Sequence, residues 1–187
     1  MSRVGKNPIT IPEKVEVTID NNVSGGQSLL VKGPKGELRS VFRSEILLKK
    51  EDGKIFATRN SNEKLVKAIH GTTRTLIQNM IVGVTEGFKK ELDIVGVGYR
   101  AQLTGNNLVL QVGYSKPVEV TPPSKELKIE VDKNLTHITI TGVDKQAVGD
   151  FAALVRSVKE PEPYKGKGIK YSGEVIRRKA GKSAVKK

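Results

Sequence analysis

The chain has 187 residues, 33 Lys or Arg against 20 Asp or Glu, a net charge of +13, and neither Cys nor Trp. The missing Cys excludes disulfides, a thiolate nucleophile and thiolate metal sites, and no apolar run approaches the roughly 20 residues that span a bilayer. The charge is localised: residues 156–187 hold eleven bases against three acids, the first ten hold Arg3 and Lys6, and the long middle adds only three net charges, the footprint of a polyanion partner on a nearly neutral body.

Alternation of period two in Val15-Glu16-Val17-Thr18-Ile19 predicts a first strand. Residues 28–32 and 37–42 flank Gly33-Pro34-Lys35-Gly36 and predict a hairpin with a basic tip. Residues 46–48 and 55–58 predict a second hairpin around Asp52-Gly53, where glycine supplies the positive φ of a tight turn. The period then changes. Leu65, Ile69, Thr72, Leu76, Met80 and Val84 recur every three or four residues and predict an amphipathic helix with these positions on its apolar face. Asn60 followed by Glu63 resembles a capping box, and Lys64, Lys67, His70 and Arg74 fall on a polar stripe.

The order recurs in the second half. Strands are predicted at 92–95, 99–103, 108–112, 117–120, 127–131 and 136–141, punctuated by Gly105-Asn106-Asn107, Pro122-Pro123 and Asp132-Lys133-Asn134. Asp144 is expected to cap a helix whose apolar face is Val148, Phe151, Ala152, Val155 and Val158, ending before Pro161. A shift of 83 residues lays Ile46 on Ile129, Ile55 on Ile138, Thr58 on Thr141 and Leu65 on Val148, which points to a duplication. The expected fold class is α+β, with two tandem similar domains, each an antiparallel β-sheet with a helix packed on one face, plus a basic C-terminal tail. The expected spans are 1–82, 83–160 and 161–187.

The last segment carries the candidate interface. Tyr164, Lys165, Gly166, Lys167, Gly168, Lys170 and Tyr171 interleave charge, glycine and aromatic rings, and Arg177, Arg178, Lys179 and Lys182 follow. Pro161 and Pro163 stop a helix before them, the glycines let backbone approach phosphate closely, and the two tyrosines offer rings to unstacked bases. Such a segment is expected to order on RNA with release of counterions. The competing reading of the same composition is a solvated solubility tail.

Signals for catalysis are weak. Gly181-Lys182-Ser183 ends like a phosphate-binding loop, yet Ile176 stands where that motif needs glycine. Gly96-Val97-Gly98-Tyr99-Arg100-Ala101 leads into another strand pattern and reads as a bend in a sheet. His70 and His137 stand 67 residues apart without acids at ligand spacing. No catalytic residue, metal site or cofactor is assigned, and neither a membrane nor a small-molecule substrate is expected as partner.

Several of these runs resemble the bacterial-type family of ribosomal protein six of the large subunit. They are the opening Met1-Ser2-Arg3-Val4-Gly5-Lys6, Val31-Lys32-Gly33-Pro34-Lys35-Gly36-Glu37-Leu38, His70-Gly71-Thr72-Thr73-Arg74, Val95-Gly96-Val97-Gly98-Tyr99-Arg100-Ala101, and above all Pro161-Glu162-Pro163-Tyr164-Lys165-Gly166-Lys167-Gly168-Ile169-Lys170-Tyr171. The resemblance implies a two-domain protein that binds large-subunit ribosomal RNA near the stalk base, the sarcin–ricin loop and the translation-factor site, beside neighbouring large-subunit proteins. It places the RNA contact on Tyr164 to Tyr171 and Arg177 to Lys182. Position 170 departs from the family, which often has Arg; Lys keeps the charge and loses the planar two-pronged donor. The style of the tail implies ribosomes of a bacterial cytoplasm or, alternatively, of a plastid stroma.

Two rivals share some of these features. A DNA-architectural protein would use the same basic tail, but no groove-reading helix rich in Arg or Asn is visible. An enzyme acting on RNA would need an acid–base or metal constellation that the sequence does not display.

Overall fold

The computed structural model describes residues 3–23, 26–124 and 126–181. The chain divides into two compact units, Met1–Phe88 with Val143–Lys145, and Lys89–Gly142 with Gln146–Lys187.

The first unit runs α1 (Arg3–Lys6), β1 (Ile9–Thr10), β2 (Glu16–Val23), β3 (Gly26–Gly33), β4 (Gly36–Arg43), β5 (Ile46–Glu51), β6 (Lys54–Arg59) and α2 (Lys64–Thr85). Two antiparallel sheets form, in strand orders β2-β3-β4 and β1-β6-β5. The period-two pattern turns Val17, Leu29, Val31, Ile46, Leu48 and Ile55 inward, where they meet Val66, Ile77, Ile81 and Val84 of α2. The basic turn between β3 and β4 is pinned to the end of α2: the Lys35 N–H donates to the Val84 carbonyl at 3.0 Å, and its ammonium donates to the Glu86 carbonyl.

α2 buries Met80 and Val84 as expected, but over its first turns the buried stripe lies one residue away from the expected one. Val66, His70, Thr73, Ile77, Met80, Ile81 and Val84 face the core, while Leu65 and Leu76 are 59% and 44% exposed. Both stripes fit a period of 3.6. The difference lies in what lines the far side: the His70 ring reaches β6 and its Nε2–H donates to the Ala57 carbonyl at 2.8 Å, so this histidine belongs to the core and not to the polar stripe. The helix starts after Glu63, which makes no side-chain cap. Asn60 instead continues the β5–β6 pairing by one step, its N–H donating to the Glu45 carbonyl.

The second unit contains β7 (Phe88–Val95), β8 (Arg100–Thr104), β9 (Asn107–Gln111), β10 (Val118–Val120), β11 (Lys128–Val131), β12 (His137–Gly142), α3 (Lys145–Val158) and β13 (Gly168–Tyr171). Its sheets are β8-β9-β10 and β11-β12-β7-β13. The 83-residue shift carries β6 onto β12 residue for residue, and it carries β5, β1 and the β2-β3-β4 meander onto β11, β7 and β8-β9-β10 in order. The strand order β1-β6-β5 therefore recurs as β7-β12-β11. Leu92, Ile94, Leu108, Leu110, Ile138, Ile140 and Phe151 fill this second core.

Two spans differ from expectation. α2 continues to Thr85, so Gly83 lies within the helix and the second unit begins only at Lys89. The segment after Glu160 is not separate from that unit. It adds β13 to the β7 edge, with Ile169 opposite Ile94 and Tyr171 opposite Leu92, and Ile169 is fully buried. Among the described residues the first repeat holds no counterpart of this strand.

Candidate nucleic-acid interface

The proline-rich stretch forms a closed loop between α3 and β13. The Glu162 N–H donates to the Lys167 carbonyl at 3.0 Å, the Gly166 N–H to the Glu162 carbonyl at 3.1 Å, and the Ile169 N–H to the Lys159 carbonyl at 2.8 Å. The loop presents Tyr164 and Lys165 to solvent, with Tyr164 56% exposed. Lys167 and Lys170 are half-buried. Gly166 and Gly168 are buried and take φ of +73° and +143°. A methyl group at Gly168 would lie 2.6 Å from the Glu160 carbonyl oxygen and 2.7 Å from the Pro161 Cα, so the loop's closure supplies its own reason for glycine there.

Tyr171 has a different setting from Tyr164. It is half-buried, and the Lys90 ammonium and Arg156 guanidinium lie 5.6 and 5.9 Å from its ring centroid. Arg156, on α3, also grips Glu174 with two donors, Nε to Oε2 at 3.1 Å and Nη2 to Oε1 at 2.7 Å. Glu174 Oε2 accepts from the Tyr171 N–H at 3.0 Å as well. The Arg156 hydrogen bond holds the Glu174 carboxyl below its ordinary value, assisted by the Tyr171 N–H and opposed by burial. The same contact raises Arg156.

Beyond Glu174 the chain turns back. The Lys179 N–H donates to the Pro163 carbonyl at 2.8 Å, and the Arg178 guanidinium comes within van der Waals reach of a methyl placed on Gly166. Arg177, Arg178 and Lys179 are exposed. Arg178 and Lys179 thus stand beside the loop that carries Lys165, although more than ten residues separate them in sequence. The described part of the segment is folded back by its own hydrogen bonds, which corrects the expectation that it orders only on RNA. The cause is the apolar Ile169 in its middle, which gains a core site by pairing with β7. Lys182 lies outside the described residues.

Arg3 and Lys6 bound α1 in the first unit, and Lys6 is exposed. The helix sits against α2, with Gly5 facing the His70 ring, and Arg74 Nε donates to the Asn7 carbonyl. His137, at the start of β12, donates Nδ1–H to Asp93 Oδ1 at 2.7 Å. Among the described residues no three His, Asp or Glu side chains gather as a metal centre would need.

A family model described as Ribosomal protein L6 matches the chain twice, over residues 11–87 and 95–172. The chain belongs to the ribosomal protein L6 family. The two matched stretches are the two structural repeats, and the second extends through β13. Relatives named large ribosomal subunit protein uL6 align along essentially their whole length. One from Pelotomaculum thermopropionicum is 55% identical over 186 residues, covering 100% of this chain and 98% of that protein. One from Halalkalibacterium halodurans is 53% identical over 183 residues, covering 98% and 99%. One from Gloeothece citriformis is 52% identical over 186 residues, covering 100% of both. An L6-family chain is a structural component and not an enzyme.

Sequence reasoning missed Arg156, Lys159 and Glu174 as members of this region, and Tyr114 beside them. The Arg156–Glu174 clasp spans 18 residues and the Tyr114–Val158 hydrogen bond 44, so no local pattern could pair them. The one available signal was the distribution of tyrosine, since all four, at 99, 114, 164 and 171, fall in the second repeat.

Proposed function

We propose that this protein is a structural constituent of the large ribosomal subunit of a bacterium, that it works in the cytoplasm on the ribosome, and that it grips large-subunit ribosomal RNA near the stalk base, the sarcin–ricin loop and the translation-factor site. The observation that carries the reading is the folded-back basic segment. Lys165, Arg178 and Lys179 converge beside an exposed tyrosine, on the most basic part of a chain whose body is nearly neutral.

The mechanism follows from this geometry. Exposed cations neutralise backbone phosphates and release counterions. The phosphate contacts set position, while RNA shape and unstacked bases give specificity. Because the loop is already closed, binding loses less conformational entropy than a disordered tail would. Lys167 and Lys170 complete the same cationic run, Tyr164 supplies a ring for a base, and Arg177, Lys182, Arg3 and Lys6 add further positive charge to the RNA contact. Neighbouring large-subunit proteins complete the setting.

The test has two arms. A ribosomal RNA fragment carrying the sarcin–ricin region is set against duplex DNA of equal length at matched salt, with preference for the RNA expected and equal affinity favouring the DNA-architectural reading. Crosslinking in intact large subunits, followed by mapping of the attached RNA, should fall in the factor-binding region; attachment elsewhere overturns the location.

A further inference from the structure

A second aromatic site adjoins the basic loop, on a different part of the second unit. Tyr114 follows β9, beyond Gly113, whose φ is +80°. Its hydroxyl donates to the Val158 carbonyl at 3.0 Å, at the last residue of α3. The Lys159 ammonium stands 4.7 Å from its ring centroid. The Lys159 carbonyl in turn accepts the Ile169 N–H that closes the 159–169 loop. Tyr114 is therefore fastened to the foot of that loop, and it remains 52% exposed.

This arrangement calls for an occupant. A tyrosine that only filled a gap would bury its ring, but here the hydroxyl is bonded while more than half of the residue faces solvent. The hydroxyl bond fixes the ring, so a planar ligand meets a surface that needs no ordering. Lys159 sets a cation at the ring, a pairing that suits a nucleotide, whose base stacks while its phosphate meets the ammonium. Lys116, two residues on, is exposed and adds a second charge.

We infer that Tyr114, with Lys159, is a stacking site for an unpaired nucleotide of RNA, separate from the Tyr164–Tyr171 loop. The site rests on the RNA-binding reading above and extends it: it predicts a splayed-out base at the foot of the loop, beyond the rings that the sequence offered at Tyr164 and Tyr171. Stacking acts through a neutral ring, so its signature differs from that of the lysines. Removing it lowers affinity at every salt concentration and leaves the salt slope unchanged.

The experiment uses the full-length protein and the sarcin–ricin-region RNA fragment, with affinity measured across a salt series for wild type, Tyr114→Leu, Tyr114→Phe and Lys165→Ala. Tyr114→Leu should lose roughly five- to hundredfold in affinity at constant slope, and Tyr114→Phe should lose much less, because it keeps the ring and gives up only the bond that fixes it. Ultraviolet crosslinking of the wild-type complex should attach a base to the peptide containing Tyr114, which tests the site even if Tyr114→Leu folds poorly. Unchanged affinity in Tyr114→Leu with no crosslink at Tyr114, while Lys165→Ala still lowers the slope, overturns this site and leaves the RNA reading standing. Loss of incorporation into large subunits by Tyr114→Leu with unchanged RNA affinity overturns it in favour of a protein contact. Failure of the wild-type protein to prefer the RNA over duplex DNA removes both readings together.

Discussion

Arg156 and Glu174 clasp each other through two hydrogen bonds, 3.1 and 2.7 Å long, from the last turn of α3 to the residue where the chain reverses after β13. Each side chain is about a quarter exposed, so the pair is shielded well enough to exceed an ordinary surface ion pair. It fastens the strand that carries the basic loop. Glu174→Gln removes the charge and keeps the shape. It should destabilise the docked strand by about 1–2 kcal/mol, read as faster hydrogen exchange at the Ile169 and Tyr171 amides with little change in the first unit. Unaltered exchange would show that Ile169 burial alone holds the strand.

The same pair sets a pH dependence. The carboxyl of Glu174 is held below its ordinary value of 4.5, chiefly by the Arg156 hydrogen bond. A depressed folded-state value means that the contribution is complete above the unfolded value and disappears as pH falls through the folded one. Arg156 stays charged throughout. Protection of the Ile169 amide should therefore be level from neutral pH down to about 4.5 and decline only below it. In Glu174→Gln that acid decline should be reduced.

Two glycines a few residues apart should respond very differently to alanine. At Gly168 a methyl meets the Glu160 carbonyl and the Pro161 Cα, both backbone atoms that cannot swing aside. Gly168→Ala should cost about 2 kcal/mol or more and release the loop. At Gly173, φ is +82° but nothing lies within 4 Å, so Gly173→Ala should cost only about 1 kcal/mol. Urea unfolding of the two variants, followed by tyrosine fluorescence of the second unit, compares them directly.

In the first unit Gly5 is sensitive through a side chain. A methyl there would fall 2.4 Å from His70 Nδ1, and the ring cannot retreat without giving up the Ala57 carbonyl at its other nitrogen. Gly5→Ala should lift α1 from α2 and cost about 1–3 kcal/mol. Limited proteolysis near residue 7 reports the release, and unchanged cleavage would mean that the histidine repacks freely.

The cations of the basic segment should divide by environment. Lys165→Ala should lower the slope of log affinity against log salt by about one unit. Lys170 sits opposite Asp93 in the sheet and near Glu174, so part of its field is already answered. Lys170→Ala should change the slope by less. Equal effects from both would show that the neighbouring acids do not compete with phosphate.

Much of this architecture is legible in the residues. Alternation located most strands of the two meanders, Asp52-Gly53 located a hairpin, and the 83-residue offset exposed the duplication. The failures share a cause: the choice among locally equivalent options is made by distant atoms. Leu65 and Leu76 obey the same helical period as Val66 and Ile77, and only β6, through Ala57, decides which stripe turns inward. Gly168 to Tyr171 looks like basic tail because its one buried side chain, Ile169, is surrounded by charge and glycine, and its value lies in an unfilled edge more than seventy residues earlier. Arg156 and Glu174 are unremarkable singly, and they became a lock only when α3 and β13 were brought together.

The additional strand of the second repeat, β13, has a practical corollary. Shortening the chain at Glu160 would not yield a trimmed RNA binder. It would uncover the flank of β7, leaving main-chain donors and acceptors beside Leu92 and Ile94 as a template for self-association. Loss of ribosome incorporation by such a truncation would then report on clumping as much as on missing charge, and only point substitutions that spare Ile169 can separate the two.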